Sequence, residues 1–378
     1  MRKVTVTGIG MTKFGKHDRS VKSLAVEACR EALQDAGKPK IDAIFVGNFM
    51  GGSLAGQEIL GSMLASELGL GPIPAAKMEG ACASGGIAFR QAYQLIAGGI
   101  YDRVLVVGVE KMTHAGTESV THAINTAMDN DSNEGPAGLT FPGFFGIIAN
   151  RYLYETGARK EHLAMIALKN REYARNNPRA QFQKATSIEE IMEARMICDP
   201  LGLFDCSPIT DGAAAIVLSA AEQGVQILAS GQASGPPLMQ EIPELLTISA
   251  TVEAAQQAYA QAGLGPQDID VLELHDCFSM TELLAIEDLG FFEKGTGWQA
   301  VEQGLTQHGG QIPVNTSGGL LSRGHPIGAT GVAQIIQVVS QLRGNAPNQV
   351  PGARIGMAQN LGGTGAYSVV HLFAGKGV

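Results

Sequence analysis

The chain has 378 residues, of which 45% are hydrophobic and 17% are charged, and its formal net charge is −9 at pH 7. This composition excludes a disordered chain, and the acidic balance excludes a nucleic-acid-binding surface as the main function. No apolar run reaches the ~20 residues that a membrane span needs, and no signal-peptide pattern opens the sequence, so we expect a cytoplasmic protein. The length favours two units of similar size.

Five cysteines stand at positions 29, 82, 198, 206 and 277, and no two of them form a CxxC pair. The odd number and the irregular spacing indicate neither a zinc ribbon nor a disulfide framework. We therefore expect a reducing compartment and no bound metal ion.

The first hundred residues alternate between strand and helix patterns. The hydrophobic periodicity predicts strands at 4–9, 41–49 and 101–110 and helices at 23–36 and 57–68. Gly37 is placed to end the first helix. The continuous apolar run at 101–110 is typical of a buried parallel strand.

Between these elements, residues 77–86 (KMEGACASGG) form a small-residue turn that carries Cys82 and leads into an apolar helix pattern. A thiol in the first turn of a helix faces unpaired N–H groups and the positive end of the helix dipole. We therefore expect the pKa of Cys82 to fall from about 8.5 toward neutrality. The stretch alone is equally consistent with a small hydrophobic residue that is simply buried.

From residue 113 to about 205 the alternation is lost, and this segment is predicted to be an insertion. Part of it is basic in an otherwise acidic protein. Seven lysines and arginines lie in this part (159, 160, 169, 171, 175, 179 and 184), against Glu161 and Glu172. A solvated helix face is one explanation, and a surface that binds a polyphosphate substrate is the other.

The second half of the chain echoes the first. Residues 25–37 (AVEACREALQDAG) correspond to 251–263 (TVEAAQQAYAQAG), and the Cys82 turn corresponds to 324–331 (GHPIGATG). Two duplicated βαβ-rich halves account for this pattern. The predicted domains are residues 1–222, with the insertion at 113–205, and residues 223–378. The duplication would bring Cys82 and His325 to equivalent positions across a pseudo-two-fold axis.

Four further stretches combine reactive side chains with glycines or a strand end: 273–279 (ELHDCFS), 314–321 (VNTSGGLL), 322–331 (SRGHPIGATG) and 358–365 (AQNLGGTG). With Cys82, they supply two cysteines and two histidines, the others being His275, Cys277 and His325. This set indicates a thiolate nucleophile activated by an imidazole, with the second thiol as a proton carrier. The histidines at 114, 122, 162, 308 and 371 are interpreted as structural.

These motifs, in this order, resemble those of the thiolase family, and HDCF at 275–278 is similar to the sterol-carrier-protein type. The resemblance runs from Met1 to about Phe373 and includes GACASG at 80–85, TDGAAA at 210–215, NTSGG at 315–319 and GHPIGATG at 324–331. It implies a five-layered αβαβα thiolase fold whose halves pack through buried central helices. The insertion would then be a loop domain that receives coenzyme A.

The sequence departs from many thiolases in two places. Where they carry a Cys-x-Gly motif whose cysteine shuttles a proton, this chain has Asn360-Leu361-Gly362. Where they carry Asn-Glu-Ala-Phe, this chain has HDCF. In the sterol-carrier-protein type the HDCF cysteine takes over the proton transfer, so the two departures are consistent with each other.

The resemblance implies a role for each reactive group. Cys82 takes the acyl group as a thioester, and His325 accepts the thiol proton and later donates to the thioester oxygen of the second substrate. Cys277 acts as general acid–base at the α-carbon, and His275 contributes to the oxyanion hole of the enolate. The backbone N–H groups of Cys82 and Gly362 are predicted to form a second oxyanion hole.

The predicted function is therefore an acyl-CoA C-acyltransferase of lipid metabolism. It would catalyse thiolysis of a 3-ketoacyl-CoA or the reverse Claisen condensation, with CoA and acyl-CoA as substrates and no permanently bound cofactor. One alternative passes the acyl group from Cys82 to a non-CoA carbon acceptor in a multi-subunit complex, and another is a non-catalytic acyl-CoA-binding subunit. A steroid-degrading aldolase and a ketoacyl synthase fit the motifs less well. The resemblance implies a homodimer or tetramer, and a small acyl-CoA-binding partner protein stays open.

Overall fold

The computed structural model describes residues 2–220 and 223–375, so the predicted domain boundary at 222 falls outside the described residues. The strands are β1 (Thr5–Met11), β2 (Ala43–Gly47), β3 (Ala75–Met78), β4 (Arg103–Glu110), β5 (Met196–Cys198), β6 (Leu201–Gly202), β7 (Gly212–Ser219), β8 (Val225–Ser234), β9 (Val271–Glu273), β10 (Ile355–Gly362) and β11 (Tyr367–Ala374). The helices are α1 (Val21–Asp35), α2 (Gly51–Ala55), α3 (Leu60–Glu67), α4 (Ser84–Ala97), α5 (Thr117–Asn125), α6 (Phe141–Thr156), α7 (Lys160–Asn176), α8 (Ile188–Met192), α9 (Ser249–Ala262), α10 (Ser279–Asp288), α11 (Gly297–Glu302) and α12 (Thr330–Arg343).

Nine strands form one mixed sheet in the order β3-β2-β4-β7-β1-β8-β11-β10-β9. In the first half β2 is parallel to β4, while β4–β7 and β7–β1 are antiparallel. The second half repeats this arrangement, with β9 parallel to β10 and with β10–β11 and β11–β8 antiparallel. The halves meet through a short antiparallel contact of β1 with β8 at Thr5 and Val6. The shared strand order confirms the duplication that the sequence predicted.

The structure corrects one detail of the strand predictions. The apolar strand β4 is parallel only to β2, because its other neighbour, β7, is antiparallel. All residues of β4 after Arg103 are nevertheless buried. The continuous apolar run therefore reflects cover by helices on both faces of the sheet rather than a fully parallel sheet.

Helices cover both faces of the sheet, and two of them also fill the space between its halves. Helix α1 packs on β1 and β7, and α9 packs on β8 and β11. Helices α4 and α12 lie between the halves and contact each other, with α4 packed on strands of the first half and α12 on strands of both. Every residue from Thr330 to Val339 is buried, as expected for a helix that is enclosed on all sides. These layers are the αβαβα arrangement of the predicted fold.

The segment 113–205 contributes α5 to α8 and the small β5–β6 sheet. Aromatic side chains of α6 pack down onto the second half of the chain, and the Phe145 ring lies 5.0 Å from that of Phe278. The segment is thereby attached directly to the HDCF stretch. None of the helices in the described part of the chain combines the length and the apolar character that crossing a bilayer requires.

Candidate active site

Cys82 lies in a 3₁₀ turn, Ala81–Ala83, that leads directly into α4. Ala81 has a φ of +50°, in the left-handed region that side-chain-bearing residues rarely adopt, so the turn is strained. The Ser84 hydroxyl holds it by donating to the Ala81 carbonyl (2.6 Å) and accepting from the Gly80 N–H (3.1 Å). The nucleophile turn is thus fixed by the first residue of the helix that it opens.

The turn before α12 packs against the start of α4 because both are built from glycine. A Cβ on Gly85 would lie 2.8 Å from the carbonyl oxygen of Gly328, so only glycine allows this approach. The Cys82 sulfur and one ring nitrogen from each of His275 and His325 lie within 4.8 Å of one another. The rings of the two histidines are nearly perpendicular, with centroids 5.0 Å apart.

Cys277 completes the set of four reactive side chains. It follows β9, is 9% exposed, and its Sγ lies 3.9 Å from the hydroxyl of Thr281. Burial raises the pKa of the Cys277 thiol well above its ordinary value, and the neighbouring Cys82 adds to that rise. The structure therefore brings together Cys82, His275, Cys277 and His325, as the sequence predicted they would meet.

The expected lowering of the Cys82 pKa is wrong. Burial raises the pKa of this thiol to about 12, and the carboxylates of Glu110 and Glu79 add to the rise, while two backbone N–H groups oppose it. Loss of water around the sulfur outweighs the effect of the helix N-terminus. Cys82 is therefore a neutral thiol at rest, and its proton must pass to a base as the sulfur attacks.

His325 is oriented to be that base. The Thr330 hydroxyl has one proton and lies 3.1 Å from the Pro326 carbonyl and 2.7 Å from His325 Nδ1. Both contacts are hydrogen bonds only if Thr330 donates to the carbonyl and accepts from Nδ1–H. Burial, and secondarily the charge of Arg323, lowers the pKa of His325 to about 3. The ring is therefore neutral, with its Nε2 lone pair left to accept a proton.

This geometry predicts the pH dependence of acylation. Because the pKa of His325 is lowered to about 3, the ring stays neutral above that pH. In Glu110→Gln, which removes the neighbouring carboxyl whose pKa burial raises to about 7, the rate of Cys82 acylation by acetyl-CoA should therefore be flat between about pH 5 and pH 8. Rapid-quench mass spectrometry measures this rate directly. An acid limb with a midpoint near 6.5, the ordinary value for histidine, would contradict the buried neutral base.

The oxyanion hole of Cys82 and Gly362 stays a prediction, and the structure shows which backbone N–H groups lie at the sulfur itself. Besides the N–H of Cys82 itself, the N–H that lowers the thiol pKa belongs to Gly363, the residue after Gly362. At Gly362 a Cβ would lie 2.3 Å from the Gly80 carbonyl oxygen, so this glycine lets β10 approach the nucleophile turn. The structure thus turns the N–H of Gly363 toward the sulfur, and Gly362 allows the close packing that brings it there.

The NTSGG loop holds the HDCF stretch in place. The Asp276 carboxylate accepts hydrogen bonds from the N–H groups of Leu320 (2.7 Å) and Leu321 (3.3 Å) and from the Asn170 amide (2.7 Å). Asn315 accepts from the N–H of Leu274 (2.9 Å). These bonds fix the backbone on both sides of His275, so the two motifs form one structural unit.

Buried ion pairs lie directly behind this unit. Glu273 and Arg323 are both fully buried and lie 3.2 Å apart, and the Ser317 hydroxyl joins them. Lys169 of α7 pairs with Glu282 of α10. The neighbours in sequence of His275 and His325 are thereby tied to each other, which limits how far the two rings can separate.

Sequence reasoning missed several polar residues that build the site. Thr330, Asn360 and Gln359 each contact a reactive residue or its backbone, and Gln359 accepts from the N–H of His275 (3.0 Å). Glu110, at the end of β4, accepts from the N–H groups of two other turns. Gln359 and Asn360 are distant in sequence from the residues that they contact, so spacing gave no signal for them. Thr330 lies five residues after His325, but a threonine at that spacing does not by itself indicate a contact. A buried carboxylate at the end of an apolar strand is the one visible cue.

Glu110 offers a stability prediction. Its carboxylate accepts from the N–H groups of Phe49 (3.1 Å), Met50 (3.1 Å) and Gly328 (3.0 Å) and from the Asn48 amide (2.8 Å). Glu110→Leu leaves the three buried N–H groups without this acceptor, while the Asn48 amide keeps its bond to the Val109 carbonyl. We expect the variant to lower the free energy of unfolding by at least about 3 kcal/mol. Glu110→Gln is the matched control, since it keeps one acceptor and should lose less. Equal urea midpoints for both variants and the wild type would refute this role.

The basic run does not form one continuous surface. Lys169 is buried against Glu282, Arg179 donates to the Met11 carbonyl and pairs with Glu31, and Arg159 lies near Glu161 and Glu302. Arg171 and Lys184 instead line a surface cleft of about 600 Å³, where the Arg171 guanidinium lies 4.0 Å from the centroid of the Phe182 ring. The polyphosphate surface stays a prediction, for which Arg171 and Lys184 are the candidate residues.

Comparison with known proteins adds to the geometry. The chain matches the family model "Thiolase, N-terminal domain" over residues 4–222 and "Thiolase C-terminal domain-like" over residues 231–375. The chain belongs to the thiolase family. This thiolase is 47% identical to an acetyl-CoA acetyltransferase of Methanothermobacter thermautotrophicus, over 99% of its own length and 100% of that protein.

Two other similarities extend the comparison. This thiolase is 38% identical to human sterol carrier protein 2, over 98% of its own length and 71% of that protein. A solved structure described as an Ltp2-ChsH2(DUF35) aldolase superimposes with a TM-score of 0.85 at 27% identity, covering 100% of this chain and 98% of that one. The predicted family, its fold and its class, an acyltransferase acting on acyl-CoA thioesters, are confirmed.

Proposed function

We propose that this thiolase cleaves a short 3-ketoacyl-CoA with free CoA, and runs the reverse Claisen condensation, through an acyl-thioester on Cys82. The observation that carries this proposal is the convergence of Cys82, His275 and His325 within 4.8 Å, with Cys277 beside them. Carbon–carbon cleavage beside a thioester needs a nucleophile to hold the acyl group and donors to stabilise an enolate. The four side chains supply both.

In the first half of thiolysis, Cys82 Sγ adds to the 3-keto carbon while its proton passes to His325 Nε2. The bond between the α- and β-carbons then breaks, and its electron pair becomes the enolate of acetyl-CoA. His275 and protonated His325 donate to the enolate oxygen, and Cys277 gives its proton to the α-carbon. Acetyl-CoA leaves, with the acyl group on Cys82 and Cys277 as a thiolate.

In the second half, free CoA gives its thiol proton to Cys277 and attacks the acyl-thioester. The N–H groups of Cys82 and Gly362, the two donors predicted from the sequence, stabilise the tetrahedral oxyanion, while the N–H of Gly363 faces the sulfur. The bond to Cys82 Sγ breaks, and His325 returns its proton to that sulfur. All groups are then back in their starting protonation states, so the same residues serve condensation in reverse.

The surroundings of Cys82 favour a small acyl group. Its side chain belongs to a compact cluster of buried apolar residues, which are Met50, Met112, Val120, Ala123 and Ile327. Val120 and Ala123 lie on α5. A long acyl chain on Cys82 would have to displace this packing, and overfilling a packed core typically costs about 1–3 kcal/mol. The name of the Methanothermobacter thermautotrophicus relative, acetyl-CoA acetyltransferase, supports the same size class.

A substrate series tests the function. We expect kcat/KM for thiolysis to be highest with acetoacetyl-CoA and to fall with each added pair of methylenes. Val120→Ala should raise activity toward the longer substrates, while Val104→Ala, in the core of the sheet away from Cys82, is the matched control. No thiolysis of acetoacetyl-CoA, or a rate that rises with chain length, would overturn this proposal.

The cleft beside α7 is the proposed entry for CoA. Arg171 and Lys184 would face its phosphates, and the floor of the cleft, residues 206–209, runs between the two halves of the site. The N–H of Ser207 donates to the Cys277 carbonyl (2.9 Å), and Ile209 forms a bridge with His325. A CoA chain that follows residues 206–209 would reach the site between Cys277 and His325. CoA is a substrate here, and no permanently bound cofactor takes part.

The proposed assembly is a homodimer. Strand β3 is at the edge of the sheet, Ala75 on it is exposed, and the nearby Ile59 side chain is 68% exposed. An open edge with apolar residues beside it is a natural place for a second strand. A molar mass of one chain by light scattering at micromolar concentration would contradict this assignment.

A second candidate function is acyl transfer to a non-CoA carbon acceptor within a complex. The observations that favour a complex are the similarity to the Ltp2-ChsH2(DUF35) aldolase, whose title joins two names, and to a protein of Thauera aromatica named as a thiolase subunit. A small acyl-CoA-binding partner would then be needed for full activity. The two functions differ in one measurement, because only a thiolase discharges the acyl-enzyme to free CoA without another protein.

A further inference from the structure

Asn360, on β10, links the nucleophile turn to the HDCF stretch. The residue is 1% exposed. Its Nδ2 donates to the carbonyl oxygen of Cys82 (3.1 Å) and lies 3.0 Å from Nδ1 of His275. A carbonyl oxygen can only accept, so the amide NH₂ must be on this side. Both contacts are hydrogen bonds only when Nδ1 of His275 carries no proton.

This contact decides where His275 holds its proton. Burial lowers the pKa of His275 well below its ordinary value, so the ring is neutral and has one N–H. With Nδ1 accepting from Asn360, that N–H is at Nε2. His325 has the opposite arrangement, because Thr330 accepts from its Nδ1–H and leaves Nε2 bare. Two identical side chains about 5 Å apart are therefore held in opposite tautomers.

We propose that Asn360 is a positioning residue that locks His275 in the Nε2–H tautomer, so that His275 donates to the enolate oxygen while His325 serves as the base. The proposal rests on the role of His275 in the proposed function. It extends that function by explaining why the two histidines cannot exchange roles. It also gives Asn360 a part in orienting His275, which its sequence position alone does not indicate.

The surroundings of the amide show that only its NH₂ side is used. Asn360 Oδ1 is buried and has no hydrogen-bond partner among residues 2–220 and 223–375. A Cβ on Gly331 would lie 2.2 Å from this oxygen, and one on Gly86 would lie 3.0 Å from it. Glycines on both central helices thus leave room for this oxygen. An unpaired buried oxygen is unfavourable, and the two hydrogen bonds that Nδ2 donates offset part of that cost.

The first test reads the tautomer in the unmodified enzyme. Nitrogen-15 NMR of histidine-labelled protein distinguishes a protonated from an unprotonated ring nitrogen, and the His275→Gln and His325→Gln variants assign the two rings. We expect His275 to be protonated at Nε2 and His325 at Nδ1. A proton on Nδ1 of His275 would overturn the proposal without affecting the Cys82 chemistry. The tautomers are read in the wild type, and the variants serve only to assign each signal to its ring.

The second test asks whether Asn360 acts through His275. An aspartate at 360 can only accept at this position, so Asn360→Asp should move the His275 proton to Nδ1 and lower kcat for thiolysis by about 10²–10³-fold. In the His275→Ala background the same substitution should cost less than about threefold, since non-additivity reports coupling. Equal losses in both backgrounds would show a purely structural role and overturn the proposal. A normal kcat for His275→Ala alone would instead refute the role of His275 in the proposed function.

Discussion

Cys277→Ala is expected to leave acetylation of Cys82 by acetyl-CoA intact and to lower thiolysis and condensation by about 10²–10⁴-fold, the usual contribution of a general acid–base group. The reason is that Cys277 is assigned only to the proton on the α-carbon, whereas His325 takes the proton of Cys82. The variant removes one sulfur, which lies 3.9 Å from the Thr281 hydroxyl. Intact-protein mass spectrometry follows acetylation, and absorbance at the thioester band follows turnover.

A proton-exchange measurement sharpens this prediction. The wild type should exchange the methyl hydrogens of acetyl-CoA with deuterated water, and Cys277→Ala should not. Cys29→Ala is the matched control, because Cys29 is also a buried free thiol but lies on α1. Exchange at the wild-type rate in Cys277→Ala would assign the α-carbon proton to another group.

Cys82→Ser should abolish the acyl-enzyme and lower turnover by at least about 10³-fold, since a hydroxyl is a far weaker nucleophile at its ordinary pKa. The substitution preserves the shape of the strained Ala81–Ala83 turn. The loss should therefore appear in chemistry rather than in folding. Thermal unfolding checks the fold, and mass spectrometry after incubation with acetyl-CoA checks the intermediate.

Cys198→Ser provides the comparison for this variant. Cys198 is a half-buried thiol on β5, outside the four-residue site. It should retain both acetylation and turnover. Wild-type turnover in Cys82→Ser would exclude a thioester mechanism at this position, whatever the surrounding geometry.

Much of the fold could be predicted because local patterns agreed with the tertiary structure. The apolar run that became β4 and the helix pattern that became α1 ended within a few residues of their predicted limits. The echo of 25–37 in 251–263 predicted two halves, and the matching strand order shows them. The direction of the strands was harder to predict from the sequence, because burial on both faces gives β4 the same apolar run whether its neighbours are parallel or antiparallel.

The site was predictable in its reactive residues but not in what tunes them. Cys82, His275, Cys277 and His325 stood in recognisable motifs. The partners that set proton positions, Thr330 and Asn360, are common residues whose effect depends on distances of about 3 Å to a ring nitrogen. Asn360 is also distant in sequence from His275, the ring that it contacts.

The pKa of Cys82 illustrates the same limit. Its position at a helix start indicated a lowered value, but the degree of burial is a property of the whole fold. Burial raised the value to about 12. A neutral thiol beside a neutral imidazole is consequently the resting state, rather than a preformed thiolate.

The most direct test of the central claim is to isolate the acyl-enzyme and follow its discharge. Protein treated with isotope-labelled acetyl-CoA, quenched and digested, should carry the label on the peptide that contains Cys82. On addition of free CoA, that label should return to acetyl-CoA as fast as the enzyme turns over. A label on another cysteine, or a discharge much slower than turnover, would contradict a mechanism that passes through Cys82.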